Sequence, residues 1–226
     1  MKSAASPTAP GRPRTSAVVK SGRVVSLTFD DGPDERWTPH VLEQLARCKV
    51  EATFFMVGER ARAHGDVVRR VLAAGHEIQL HCDRHVRHTE LSEAELLLDA
   101  GTALATLAHA GAHPRLWRAP WGVCTQASAR VARRFGLQLV RWSIDTHDWR
   151  GDHPQTMLAH ARDRLVPGAV VLMHDAPGPG ARRRSCENTL RLLPMLAGTA
   201  RSSGLALAPM RHEPRASVRS AIEMPL

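Results

Sequence analysis

The sequence predicts an α/β fold built on a mainly parallel sheet. Two observations carry that expectation. Seven short β-branched or apolar runs alternate with six segments of helical period, and five of the runs end in clusters of Asp, His, Arg or Trp. The alternation is what successive βα units produce. The polar clusters are what a site at the carboxyl ends of parallel strands produces.

In chain order, RVVSLTF (23–29) reads as the first strand and 36–48 as the first helix. ATFFMVG (52–58) is the second strand, and a helix over 59–74 stops at Gly75, where a left-handed cap favours glycine. HEIQLH (76–81) is the third strand. The helix over 92–110 opens on Ser92-Glu93-Ala94-Glu95, a capping-box pattern. RLWRA (115–119) leads to a helix over 126–135, then LQLVRWSI (137–144) to one over 154–165. AVVLMH (169–174), a helix over 187–202 and LALAPM (205–210) complete the pattern. Periodicity does not choose between an open sheet and a closed barrel.

Residues 1–20 are rich in Ser, Pro, Ala and Arg and read as a flexible tail; 211–226 lose pattern and read as loosely attached. That leaves 21–210 as the folded unit. Of the 226 residues, 43% are hydrophobic and 23% charged, which excludes wholesale disorder. No run approaches the roughly 18 apolar residues of a spanning helix. The first twenty residues lack the apolar run of a signal peptide, so a cytoplasmic location is expected. The net charge of +9 invites a nucleic-acid reading, but the arginines are scattered and only Arg182-Arg183-Arg184 is dense. Without a zinc-finger, RNA-binding or helix-turn-helix pattern, nucleic acid is not the expected partner. Cys48, Cys82, Cys124 and Cys186 are far apart and form no CxxC, so they read as reduced thiols.

The strand ends carry the chemistry. They are Asp30-Asp31-Gly32-Pro33, His81-Cys82-Asp83-Arg84-His85, Arg118-Ala119-Pro120-Trp121-Gly122, Asp145-Thr146-His147-Asp148-Trp149 and His174-Asp175. Each alone has a bland reading. Aspartates before Gly-Pro are commonly a turn, and a His pair at i and i+4 on a helical turn arises easily in a chain with 13 histidines. Their joint placement on one rim makes the inference. Asp31, His81 and His85 supply one carboxylate and two imidazoles, a three-ligand divalent site with an open position. Asp30 is then free as a base, and His174 is the best placed acid for a leaving amine. Together these describe metal-assisted hydrolysis of an amide or ester.

These motifs, in this order, resemble the polysaccharide deacetylases of carbohydrate esterase family 4, the NodB homology domain, over about residues 23–210. The resemblance implies a distorted (β/α)7 barrel over 21–210 that removes an N-acetyl group from an N-acetylated amino sugar and releases acetate. It implies a divalent ion, zinc first and cobalt or nickel otherwise, on Asp31, His81 and His85. Asp30 would be general base, Arg118 its partner, and His174 general acid tuned by Asp148. Pro120 and Trp121 would shape a groove wall, while Trp149 and Leu172 would receive the acetyl methyl. A backbone amide near Trp121 would help stabilise the oxyanion.

The sequence departs from the family at Cys82, where Ser or Thr is usual, and at Trp121, where Tyr or Phe is usual. Cys82 has two readings: a space-filler, or a thiol that makes the site sensitive to oxidation. Trp121, Trp149 and Trp37 offer stacking faces for one or two rings, which suits a small acetylated glycoside. Two other functions remain open on the same residues: hydrolysis of a non-sugar amide or cyclic imide or ureide, and a silent carbohydrate- or metal-binding domain.

Overall fold

β1 (Val24–Asp30) is the central strand of one parallel sheet, flanked by β2 (Thr53–Val57) and β7 (Val170–His174). The structure, a computed structural model, describes residues 22–210. The expected tails over 1–20 and 211–226 lie outside the described residues. Beyond β2 come β3 (Glu77–Cys82), β4 (Leu116–Trp117) and β5 (Gln138–Leu139); beyond β7 comes β6 (Ile144–Asp145). β8 (Ala206–Leu207) pairs the first residues of β1. Every ladder among the described residues is parallel. The helices are α1 (Trp37–Cys48), α2 (Gly58–Ala63), α3 (Gly65–Ala73), α4 (Glu93–His109), α5 (Gln126–Arg134), α6 (Pro154–Arg162) and α7 (Glu187–Ser202).

The period of two along each strand separates core from site. Val25, Leu27 and Phe29 of β1, Phe54 and Met56 of β2, Ile78 and Leu80 of β3 and Val171 and Met173 of β7 belong to the core cluster shared with the helices. The alternate residues Thr28, Asp30, Gln79, His81, Leu172 and His174 face the interior of the half-barrel. A slip of one residue in any ladder would exchange these two sets.

The long run 137–144, expected as one strand, is two. Gln138–Leu139 pair with β4 and Ile144–Asp145 pair with β7, at the two ends of the sheet. The intervening chain spans the seam between these ends, so its residues cannot belong to one ladder. The expected helix over 59–74 is also two, parted at His64, whose φ of −128° is not helical. The strands expected over 115–119 and 205–210 shrink to the two residues that reach a neighbour. The capping box forms as expected: Glu95 N donates to Ser92 Oγ at 3.3 Å and Ser92 N donates to Glu95 Oε2 at 2.8 Å. No helix among the described residues is long and apolar enough to cross a membrane.

Candidate active site

Asp30 closes β1 in register with Phe55 of β2 and His174 of β7. Arg118, fully buried just past β4, donates from Nη1 to Asp30 Oδ1 at 2.7 Å and to Thr28 Oγ1 at 2.8 Å. Its guanidinium lies 4.0 Å over the Phe55 ring. A buried charge needs such a partner, and Asp30 and Arg118 satisfy each other. Asp31 then takes φ +76°. That left-handed turn aims the second carboxylate at different neighbours from the first.

Asp31 Oδ1 lies 3.4 Å from His81 Nε2 and 3.1 Å from His85 Nε2. Burial works against the ionised Asp31, but hydrogen bonding to His81 and His85 outweighs it and holds the carboxyl well below its ordinary range. His81 Nδ1 sits 2.7 Å from the Arg118 carbonyl oxygen. A carbonyl only accepts, so Nδ1 carries a proton; the protonated ring also donates from Nε2 to Asp31, and the neutral ring leaves the Nε2 lone pair available to a cation. One carboxylate and two imidazoles, with ligand atoms within 4.8 Å of one another, form an electron-rich set that a divalent cation fits. Gly178 stands over Asp31, where any side chain would overlap Oδ2.

His85 reaches this set by a route different from the helical turn expected. His81 is on β3, and the chain bends after Cys82 because Asp99 of α4 accepts from Asp83 N at 2.8 Å and Arg84 N at 2.9 Å. Arg62 of α2 clamps the Asp83 carboxylate at 2.6 and 2.9 Å. The bend brings His85 back beside His81 and edge-on to Trp121, with ring centroids 4.2 Å apart.

Opposite stands a second ionic pair. His174 Nδ1 is 2.7 Å from Asp148 Oδ1, and its backbone N–H donates to Asp148 Oδ2 at 2.9 Å. Thr189 and Arg183 also serve Asp148, at 2.8 and 3.1 Å, and Arg183 donates to the His174 carbonyl at 2.8 Å. Burial opposes the imidazolium, but Asp148, with Asp31 and Asp30 behind it, raises His174 to about 9. Burial likewise opposes the Asp148 carboxylate, yet Arg183 and His174 draw it down to about 2. Nε2 is left to face the cavity. Asp175 turns away, taking a hydrogen bond from Thr38 Oγ1 at 2.5 Å.

A cavity of about 400 Å³ joins the two halves, lined by Asp30, Asp31, His81, His85 and His174 with Trp121, Trp142, Trp149 and Leu172. Pro120 is buried and opens the short turn that carries Trp121, whose own φ is +54°. Trp37 is a correction: it is 7% exposed under the first turn of α1 and does not line the cavity. Trp142, hidden in the run read as a strand, does. Cys82 is 1% exposed, and burial, with Asp99, Asp31 and Asp83 adding, pushes its thiol well above the ordinary range. This favours the space-filling reading. All four cysteines are free thiols. Asp99, Arg62, Arg183 and Thr189 escaped the sequence reading, because their partners lie in distant elements and no local spacing marks them.

The chain matches the polysaccharide deacetylase family over residues 17–140. It is 34% identical over 200 residues to a chitooligosaccharide deacetylase of Bradyrhizobium sp. (strain ANU 289), covering 85% of this chain and 91% of that protein. It is also 34% identical over 175 residues to a peptidoglycan-N-acetylglucosamine deacetylase of Bacillus cereus, covering 76% of this chain and 62% of that one. A solved family 4 carbohydrate esterase from Streptomyces lividans, in complex with acetate, superposes with a TM-score of 0.76 at 31% identity, covering 86% and 95%. The half-barrel of parallel strands is thus that of a carbohydrate esterase. The chain belongs to the polysaccharide deacetylase family, with the family 4 distorted (β/α)7 fold.

Proposed function

We propose that this chain is a metal-dependent N-deacetylase, its catalytic domain at 21–210, that removes the acetyl group from an N-acetylated amino sugar. The observation that carries the reading is the cavity shared by the Asp31–His81–His85 donor set, the Asp30 carboxylate and the Asp148–His174 pair. A divalent ion on Asp31, His81 and His85, zinc first with cobalt or nickel as substitutes, would polarise the amide carbonyl and lower the pKa of the attacking water.

The chain's own groups do the rest. Leu172 and Trp149 offer the acetyl methyl an apolar seat, which orients the carbonyl. Arg118 holds Oδ1 of Asp30, leaving Oδ2 to take the proton from water as it adds to the carbonyl carbon. A backbone amide near Trp121 donates to the developing oxyanion. His174, charged through Asp148, passes its Nε2 proton to the amide nitrogen as the C–N bond breaks. The products are acetate and the free amine. Three tryptophans around the cavity favour a sugar over a cyclic imide or ureide, and the acid–base pair argues against a silent binding domain. The test is acetate release from N-acetylglucosamine oligomers by zinc-loaded and chelator-treated protein. Loaded protein that releases no acetate from any N-acetylated sugar overturns the reading.

A further inference from the structure

Three arginines beside tryptophans of the cavity wall have no role in the mechanism above. The Arg87 guanidinium lies 4.3 Å over the Trp121 ring; those of Arg150 and Arg182 lie 5.0 and 6.0 Å from the Trp149 ring. Trp121 follows β4 and Trp149 follows β6, so the stacks come from strands near the two ends of the sheet. Arg87 itself lines the cavity and is half-buried, while Arg150 and Arg182 are exposed.

Stacking engages the flat face of a guanidinium and leaves its N–H edge free for a planar anion. Among the described residues, none of the three forms an ion pair with a carboxylate, whereas Arg118 and Arg183 are committed to Asp30 and Asp148. Of the carboxylates that line the cavity, Asp30 serves Arg118 and Asp31 serves the two histidines, while Asp145 accepts from His147 N at 2.7 Å and has no arginine or lysine partner among the described residues. Three unpaired guanidinium groups against that one carboxylate leave the charge at the entrance positive. A neutral glycan needs only the tryptophan faces and has no use for three free guanidinium edges beside them.

We propose that Arg87, Arg150 and Arg182 are specificity determinants that recognise an anionic oxygen group on the amino sugar or on the unit joined to it. A carboxylate and a phosphate share this chemistry, and both accept bidentate hydrogen bonds from an arginine edge. The inference rests on the deacetylation reading and narrows its substrate class to acidic acetamido sugars.

Three matched ligands test it: a neutral N-acetylglucosamine disaccharide, the same disaccharide bearing a carboxylate ether on the second ring, and N-acetylglucosamine 1-phosphate. Dissociation constants are measured by calorimetry in the zinc-loaded Asp30→Asn protein, and kcat/KM by acetate release in the wild type. At least one anionic ligand should be favoured about tenfold or more over the neutral one, the scale of one charge-assisted contact, and which one identifies the group read. That preference should shrink in about 0.5 M salt, which screens exposed charges. Arg87→Met and the Arg150→Met/Arg182→Met pair should each drive the anionic-to-neutral ratio toward one, and Arg87→Lys should restore part of it. Equal affinity for all three ligands, or a ratio that neither variant moves, overturns the proposal. Should no ligand be turned over, the deacetylation reading fails while the ratio of dissociation constants still decides this one.

Discussion

Asp30 and Asp31 are neighbours in sequence, yet one turn of backbone gives them different chemistry. Asp30 meets Arg118, and Asp31, at φ +76°, meets two imidazoles. In the proposed mechanism Asp30→Asn should lower kcat about 10²–10⁴-fold, the usual contribution of a general base, while zinc stays stoichiometric after dialysis. His81→Ala should instead lose the metal, since one of three ligands is gone. Paired metal analysis and acetate release check both, and an Asp30→Asn protein stripped of zinc would exchange the two roles. The acid has its own signature. His174 must be protonated to act, and its raised value near 9 means that it acts below that pH and fails as the pH rises through it. An ion on Asp31 removes part of that support, so the alkaline limb in the loaded enzyme falls below about 9. Asp148→Asn removes the main opposition to burial, so the limb should move to lower pH. An alkaline limb that stays in place would show that another group sets it.

The segment from β3 to α4 shows how an element can hold a site without touching substrate. Asp99 takes the two backbone N–H groups after Cys82, those of Asp83 and Arg84, and Arg62 fixes the Asp83 carboxylate. Together they replace the helical turn that the i, i+4 spacing suggests. Asp99→Ala should weaken zinc binding about 10–100-fold, the range for groups that orient ligands, and Asp99→Asn, which keeps one acceptor oxygen, should lie between. Competition against a calibrated chelator measures this, and an unchanged zinc affinity in Asp99→Ala would mean that β3 alone sets His85. The proposed ligands stood out in the sequence because carboxylate and histidine clusters fall at the ends of apolar runs. The Ser92–Glu95 box was legible because its partners are three residues apart. Asp99 was not: it lies 16 residues from Asp83, and nothing local marks it. Arg183 was hidden likewise, noted only as part of a dense basic run, although it is 8% exposed and donates to the His174 carbonyl.

At the scale of the molecule, the alternation along β1, β3 and β7 sends one set of side chains to the helices and turns the other, Asp30, His81, Leu172 and His174 among it, toward the interior, while the clusters at the strand ends made the site legible. The seam between β5 and β6 was not legible, because a run of apolar residues that crosses between two ladders looks like one strand. That crossing carries Trp142 into the cavity wall and limits the space available. A cavity of about 400 Å³ is at the small end of the roughly 300–1,000 Å³ typical of small-molecule sites. It has room for one acetamido ring and little more than its neighbour, with Trp121 and Trp149 in its wall. Further sugar units would lie outside the walls and add little binding to ground or transition state. A pentamer of N-acetylglucosamine should therefore have a kcat/KM within about tenfold of that of a monosaccharide glycoside of the same sugar, measured by acetate release at matched ionic strength. A larger preference for the pentamer, beyond about 1.4 kcal/mol of added transition-state binding, would require subsites along the outer surface and refute the small-substrate reading.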